Sequence, residues 1–261
     1  TNDKRPPEER ESWNWVRALR ATRDRFARLP KQTKPWFVMD RGGDFHGTLA
    51  DALEQQTLVT IRSCYDRHIK RNGKDRWLWK TLRRQPVLGF LEVLVPRGEN
   101  RPSRVARLEL RAVMGKTRVR RRKGGLEEFW GELSCVRVRE VDTAPSGEKP
   151  IEWKLLTTYP VKSFDDARLV LRSYTLRWRI EELHRTWKTG ACNVEASQLR
   201  SLSALKRWAT ILAVVATRIE RLKQLSREQP ELDALKEFSR AELDAATVSY
   251  THLTLPTKCS V

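Results

Sequence analysis

The chain has 261 residues, 39% of them hydrophobic, and carries 52 Lys plus Arg against 33 Asp plus Glu, a formal net charge of +19. That suffices for one large domain or two small ones, and the charge implies a polyanionic partner, most simply DNA or RNA, in place of a membrane: no apolar run approaches a span. Four scattered cysteines, Cys64, Cys135, Cys192 and Cys259, without a Cys-x-x-Cys pair, argue against a zinc ribbon or a disulfide framework and fit a reducing cytosol.

The first residues are a polar lead-in that reads as a cut edge, without Met or a signal peptide. Residues 11–29 read as a helix with Trp13, Val16, Leu19, Phe26 and Leu29 as apolar positions. Trp36-Phe-Val-Met39 is a compact apolar run, expected as a buried strand. It ends at Asp40-Arg-Gly-Gly43, a turn supplied with glycine. Phe45 to Glu54 reads as a helix, with Asp44 as a residue at its start. Leu58-Val-Thr-Ile61 is a second buried strand closed by Arg62. Strand, helix and strand at this spacing predict a βαβ unit with a parallel pair.

From Tyr65 to about Pro150 the text becomes β-like, with runs at Val87–Val95, Val105–Val113 and Leu133–Val141. It predicts an inserted antiparallel sheet. Lys116 to Lys123, with Arg118, Arg120, Arg121 and Arg122, reads as a basic hairpin or loop, either a solvated tip or a phosphate contact. Trp153 to Thr158 is another strand. Phe164 to about Thr189 reads as one long helix, and residues 201–226 as a second, with Leu202, Leu205, Trp208, Leu212, Val215, Ile219 and Leu222 expected in a core. Residues 231–246 suggest a short terminal helix. Val248 to Thr257 loses its charge abruptly, resembles a non-native tail, and is expected without packed structure.

On the first long helix, Tyr174, Arg177, Glu181 and Lys188 fall within an arc of roughly 60° at ~100° per residue. Leu176, Ile180, Leu183 and Trp187 cluster on the other side, as if facing a core. A carboxylate between two cations, with a phenol one turn away, can hold a metal ion and phosphate oxygens. The plain alternative is a solvated face with an i,i+4 ion pair between Arg177 and Glu181. Glu182 is turned about 100° from Glu181.

Tyr174-x2-Arg177-x3-Glu181-x6-Lys188 matches the spacing of the YREK motif of bacterial DDE transposases. Trp178-Arg-Ile-Glu-Glu-Leu-His184 and Trp187-Lys-Thr-Gly190 resemble the same family, as does Val38-Met-Asp-Arg-Gly-Gly-Asp-Phe-His46, the strand-to-turn segment of its second catalytic Asp. Gln85-Pro86 and Asn100-Arg-Pro-Ser-Arg104 resemble pieces of its β-rich insertion. The resemblance covers about residues 8–245. It implies an α/β fold: an RNase H-like core with an inserted antiparallel β-rich subdomain. The expected organisation is a partial core over 1–62, the β-rich insertion over 65–150, the remainder of the core with the motif helix over 151–230, and a short helix with a non-native tail over 231–261.

The resemblance further implies cut-and-paste DNA transposition. Three carboxylates hold two Mg²⁺ or Mn²⁺ ions that clamp the attacking and leaving oxygens of an in-line displacement. By position, Asp40 is the second carboxylate and Glu181 the third, both catalytic and metal-binding; without the resemblance, Asp40 is a turn-forming Asp that bonds its own backbone. DNA contacts fall to Tyr174, Arg177, Lys188, Trp153, Trp178, Arg62, His184 and Arg185, with the two Trp residues stacking an extruded base and simple burial as the alternative for Trp153. The implied partners are double-stranded DNA, at transposon ends and target, and a second subunit in the intact protein. The implied setting is the bacterial cytoplasm and nucleoid. One match is missing: no segment corresponds to the first Asp. This chain alone is therefore expected to be inactive and monomeric, a fragment truncated at both ends. The rivals are a non-catalytic DNA-binding remnant and another kind of RNase H-like nuclease.

Overall fold

A computed structural model describes residues 9–29, 33–95, 102–122, 126–142 and 148–253. The chain divides into two units, Thr1–Arg177 and Trp178–Val261.

The first unit is a mixed sheet with helices on both faces. Its elements are α1 (Trp13–Ala27), β1 (Trp36–Met39), α2 (His46–Glu54), β2 (Leu58–Arg62), β3 (His68–Arg71), β4 (Lys74–Trp77), α3 (Leu78–Arg83), β5 (Gly89–Val95), β6 (Arg104–Arg122), β7 (Leu126–Glu140), β8 (Glu152–Thr157) and α4 (Phe164–Thr175). The strands form one eight-stranded sheet in the order β1-β2-β8-β7-β6-β3-β4, with β5 also on β6. Only β1 and β2 pair in parallel, as the βαβ pattern predicts; the described remainder is antiparallel. This is the mixed α/β architecture expected of an RNase H-like domain.

The segment 65–150 contributes β3 to β7 to the same sheet as β1, β2 and β8. Two features of it are invisible to hydropathy. The β3–β4 hairpin is built from charged residues, and β6 and β7 run far beyond their apolar stretches. The arginines read as a basic hairpin or loop lie on β6 where it pairs antiparallel with β7: Arg118 and Arg120 pair with Glu128, and Arg121 with Glu127 and Glu54. Opposite charges facing each other across a ladder stabilise it, which is why a polar run extends as strand.

Alternation along the strands makes two cores. On one face Leu19, Met39, Leu49, Val59, Ile61, Leu78, Leu82, Leu133, Cys135 and Leu156 pack under α1, α2 and α3. On the other, Leu108, Leu110, Val136, Val138 and Leu155 pack against Ala167, Val170, Leu171 and Tyr174 of α4. Asp51 of α2, itself buried, draws Arg20 and Arg23 of α1 onto it and ties the two helices together.

The second unit comprises α5 (Trp178–Lys188), α6 (Leu202–Glu228) and α7 (Arg240–Leu253). Two expectations change here. The long helix over 164–189 is two helices. The break falls at Leu176–Arg177, where the Arg177 amide bonds the Tyr174 carbonyl three residues back, a tightened closing turn. The two helices bury different faces: α4 inserts Ala167, Val170, Leu171 and Tyr174, whereas α5 buries Thr186. Of the stripe of α6 expected in a core, Leu202, Trp208 and Val215 are exposed and Leu205, Leu212, Ile219 and Leu222 are half-buried; the described residue that α6 buries fully is Ala216. Val248 to Leu253, expected without packed structure, continues α7 as helical backbone, and the rest of that segment, residues 254–257, lies outside the described residues.

Candidate active site

Asp40 follows the last residue of β1, and its side chain is exposed. Its Oδ1 accepts the Gly42 amide at 2.8 Å, capping a turn of 3-10 helix over Arg41–Gly43. The turn-forming role and an accessible carboxylate therefore coexist. Because β1 and β2 run parallel with Met39 opposite Ile61, Asp40 and Arg62 stand at neighbouring carboxyl ends. This is the edge at which open α/β sheets receive ligands. β8 enters from the same edge: Arg62 is opposite Leu155, and the Ser63 amide donates to the Lys154 carbonyl at 2.7 Å.

Trp153, two residues before Leu155, shares the α4 side of the sheet. Its ring meets that of Tyr174 edge-on, at 5.3 Å between centroids and 63°. Tyr174 is only 5% exposed and belongs to the core. Arg177 ends the same unit. With Arg172, Ser173, Leu169 and Leu176 it lines a cleft of about 470 Å³ floored by Trp36 and Val38, the latter two residues before Asp40. The carboxyl end of α4 therefore overlies the strand that delivers Asp40. Leu176, expected to face inward, lines this cleft and is exposed.

Asp44 is not a helix-start cap. α2 begins after Phe45 without a side-chain cap. Asp44 is buried and ion-paired with Arg67 at 2.6 Å. Its other oxygen accepts the amides of Cys64, at 2.6 Å, and Tyr65, at 3.2 Å. The pair clamps the loop that leaves β2 just after Arg62, so it fixes one wall of the edge. The repeated Asp in Asp40-Arg-Gly-Gly-Asp44 is the only trace of this in the sequence. His46 accepts the Arg120 amide through Nδ1 at 3.2 Å, and burial, then Arg67 and Arg120, lower its pKa. Burial and Asp44 push the Cys64 thiol up, and burial pushes Cys135 to about 12, so neither is poised as a thiolate nucleophile.

In the second unit, Glu181, Arg185 and Lys188 recur at i, i+4 and i+7, one stripe of α5. The opposite side carries Thr186, whose hydroxyl bonds Glu220, and Trp187, whose Nε1 donates to the Ala209 carbonyl at 2.9 Å on α6. Arg185 and Lys188 are exposed, as is His184. Trp178 and Ile180 are also exposed, so Ile180 does not face inward to a core as expected. Tyr174 and Glu181 thus sit on different helices, in place of the single four-residue face read from the spacing.

Hard divalent cations take carboxylate oxygens. Asp40 and Glu181 carry donors of this kind; Asp44 carries them too, bound by Arg67 and the loop amides. Among the described residues, no three of His, Cys, Asp and Glu stand together as a metal-holding group. Nor is any described helix long and apolar enough to cross a membrane.

A family model for the transposase DDE domain matches residues 14–218, well over half of the chain and across both units. With its mixed α/β sheet and an acid at the carboxyl end of the parallel pair, the chain belongs to the transposase DDE domain family.

Proposed function

We propose that this chain carries two of the three carboxylates of a cut-and-paste transposase of the YREK group, Asp40 and Glu181, and that by itself it does not cut DNA. The observation that carries the reading is the exposed Asp40 at the carboxyl edge of β1, overlooked by the end of α4 from which the chain runs on to Glu181. Asp40 and Glu181 would hold Mg²⁺ or Mn²⁺, which supplies electrostatic stabilisation of an in-line displacement at phosphorus. Two carboxylates are fewer than the family's three, so metal affinity is low.

Around them, Arg62, Arg177 and Lys188 neutralise phosphate oxygens, and Arg185 and His184 extend that surface along α5. Trp178, exposed at the start of α5, offers its ring to an extruded base. Tyr174 and Trp153 are built into the core, so their part is to hold the carboxyl end of α4 over the strand edge; any contact they make with DNA uses only their rims. In the intact enzyme, the chemistry is hydrolysis at the element's end followed by attack of the freed 3′-hydroxyl, with two subunits on paired DNA ends.

The test is Mn²⁺ binding followed by the electron paramagnetic resonance signal of the free ion. Weak binding by the unaltered chain should be lost in both Asp40→Asn and Glu181→Gln. Binding that survives both substitutions refutes the shared site. Mn²⁺-dependent nicking of a supercoiled plasmid by the chain alone, abolished by Asp40→Asn, would refute the inactivity.

A further inference from the structure

The positive charge of this protein is not spread evenly in its effect, because much of it is already neutralised. The arginines of β6 that dominate the sequence, Arg118, Arg120 and Arg121, each pair with glutamates. The opposite case is the far edge of the sheet. Residues 71–84 contain six cations, Arg71, Lys74, Arg76, Lys80, Arg83 and Arg84, against one acid, Asp75. That acid is engaged by His68 at 2.9 Å. Arg76, Lys80 and Arg84 recur at four-residue intervals from β4 through α3, and all three are exposed. They line a pocket of about 380 Å³ together with Trp77, Thr81 and Gln85. None of the three has an ion-pair or side-chain hydrogen-bond partner among the described residues. Trp77 forms the apolar wall; its ring packs on His68 at 4.3 Å between centroids and remains 51% exposed.

The plain account is that Arg83 and Arg84 complement the negative end of α3. That explains cations in the last turn. It does not explain Arg76 on β4, nor a half-exposed Trp in a pocket of three cations.

We propose that Arg76, Lys80 and Arg84, walled by Trp77, form a second DNA-binding site, which takes consecutive phosphates of a duplex flanking the reacting phosphodiester. The proposal rests on the chain's transposase reading but not on its metal site. β4 lies six inter-strand steps from β1, roughly 29 Å at ~4.8 Å per step. A duplex touching both edges therefore spans about eight base pairs at ~3.4 Å each. The site would anchor DNA away from the bond that reacts.

The experiment compares two charge-matched triple variants of the full chain. One is Arg76→Gln/Lys80→Gln/Arg84→Gln. The other, Arg118→Gln/Arg120→Gln/Arg121→Gln, removes the same charge from residues already paired. Binding of a labelled duplex of mixed sequence is followed by fluorescence anisotropy over a series of KCl concentrations in EDTA, so that the metal site cannot contribute. Each lost phosphate contact lowers the slope of log K against log salt by about 0.9. The first triple is expected to lower it by about 2–3 and to weaken binding on the order of a hundredfold at low salt. The second should change the slope by less than about one. The double variant Arg76→Gln/Lys80→Gln, which spares the helix end, should lose about two, and Arg76→Lys/Arg84→Lys should keep the slope. Equal effects of the two triples would reduce the result to net charge and overturn the site. So would an unchanged slope in the first triple or the double variant, or no duplex binding by the unaltered chain.

Discussion

Asp44→Ala separates the two acids of the Asp40 turn. Asp44 and Arg67 are both buried, 2.6 Å apart. Removing the carboxylate leaves a guanidinium charge in the interior, at a cost of about 3–5 kcal/mol. It also strips the Cys64 and Tyr65 amides of their acceptor. A total loss of about 4 kcal/mol is a large part of the ~5–15 kcal/mol that holds an ordinary domain folded. In urea melts followed by tryptophan fluorescence, the midpoint should fall by about 1.5 M for a slope near ~2.5 kcal/mol per M. The second arm is Asp44→Ala/Arg67→Met. With both charges gone the burial penalty disappears, and most of the loss should return; the residue, about 1–2 kcal/mol, belongs to the loop amides. Mn²⁺ binding in the same samples shows which acid serves the metal. Asp44→Ala with the midpoint of the unaltered chain, or a double variant no better than the single, refutes the clamp. A variant that folds normally but loses Mn²⁺ makes Asp44 a ligand.

Tyr174→Ala should cost about 3–5 kcal/mol, because the ring fills the core beside Trp153; Tyr174→Phe should leave the urea midpoint nearly unchanged, and equal midpoints for the two variants would show that the ring is not a core element. Glu140, buried beneath Arg104, also accepts the Ile151 amide at 2.9 Å, and the Arg104 hydrogen bonds hold its pKa below the usual carboxylate range. Its folded pKa lies below its unfolded one, so its stabilisation is present above the unfolded value, near 4.5, and lost as pH falls through the folded value. Measured stability against pH should therefore slope less steeply between the folded value and about 4.5 in Glu140→Gln; identical slopes would remove Glu140 from the acid response.

The legible parts of this protein are those where local chemistry and burial agree. Trp36-Phe-Val-Met39 is apolar throughout, and Leu58-Val-Thr-Ile61 is apolar but for Thr60, because both faces of the parallel pair are covered; the glycine turn after Asp40 fixes where β1 ends. Ser163 at the start of α4 is a purely local signal, although its reciprocal partner is Asp166 and not the neighbouring Asp165. The illegible parts depend on partners remote in sequence. Nothing around Arg118–Arg121 announces a strand, because the glutamates that neutralise it lie across the ladder. Asp44 reads as a helix start until Arg67 folds onto it. The motif spacing fits a single helix, but periodicity records only which residues share a face, not whether the helix is interrupted between them, as it is at Leu176–Arg177.

The amino-acid sequence by itself determined the family, the parallel pair and the acid at its carboxyl edge, since each follows from residue type and near-neighbour spacing. Tertiary structure alone decided which charges are already spent. It pairs the β6 arginines, buries Asp44, seats Tyr174 in the core and leaves Arg76, Lys80 and Arg84 facing water. The physical reason is that a charge acts on a ligand only as far as its own neighbours have not compensated it, and those neighbours are chosen by the fold.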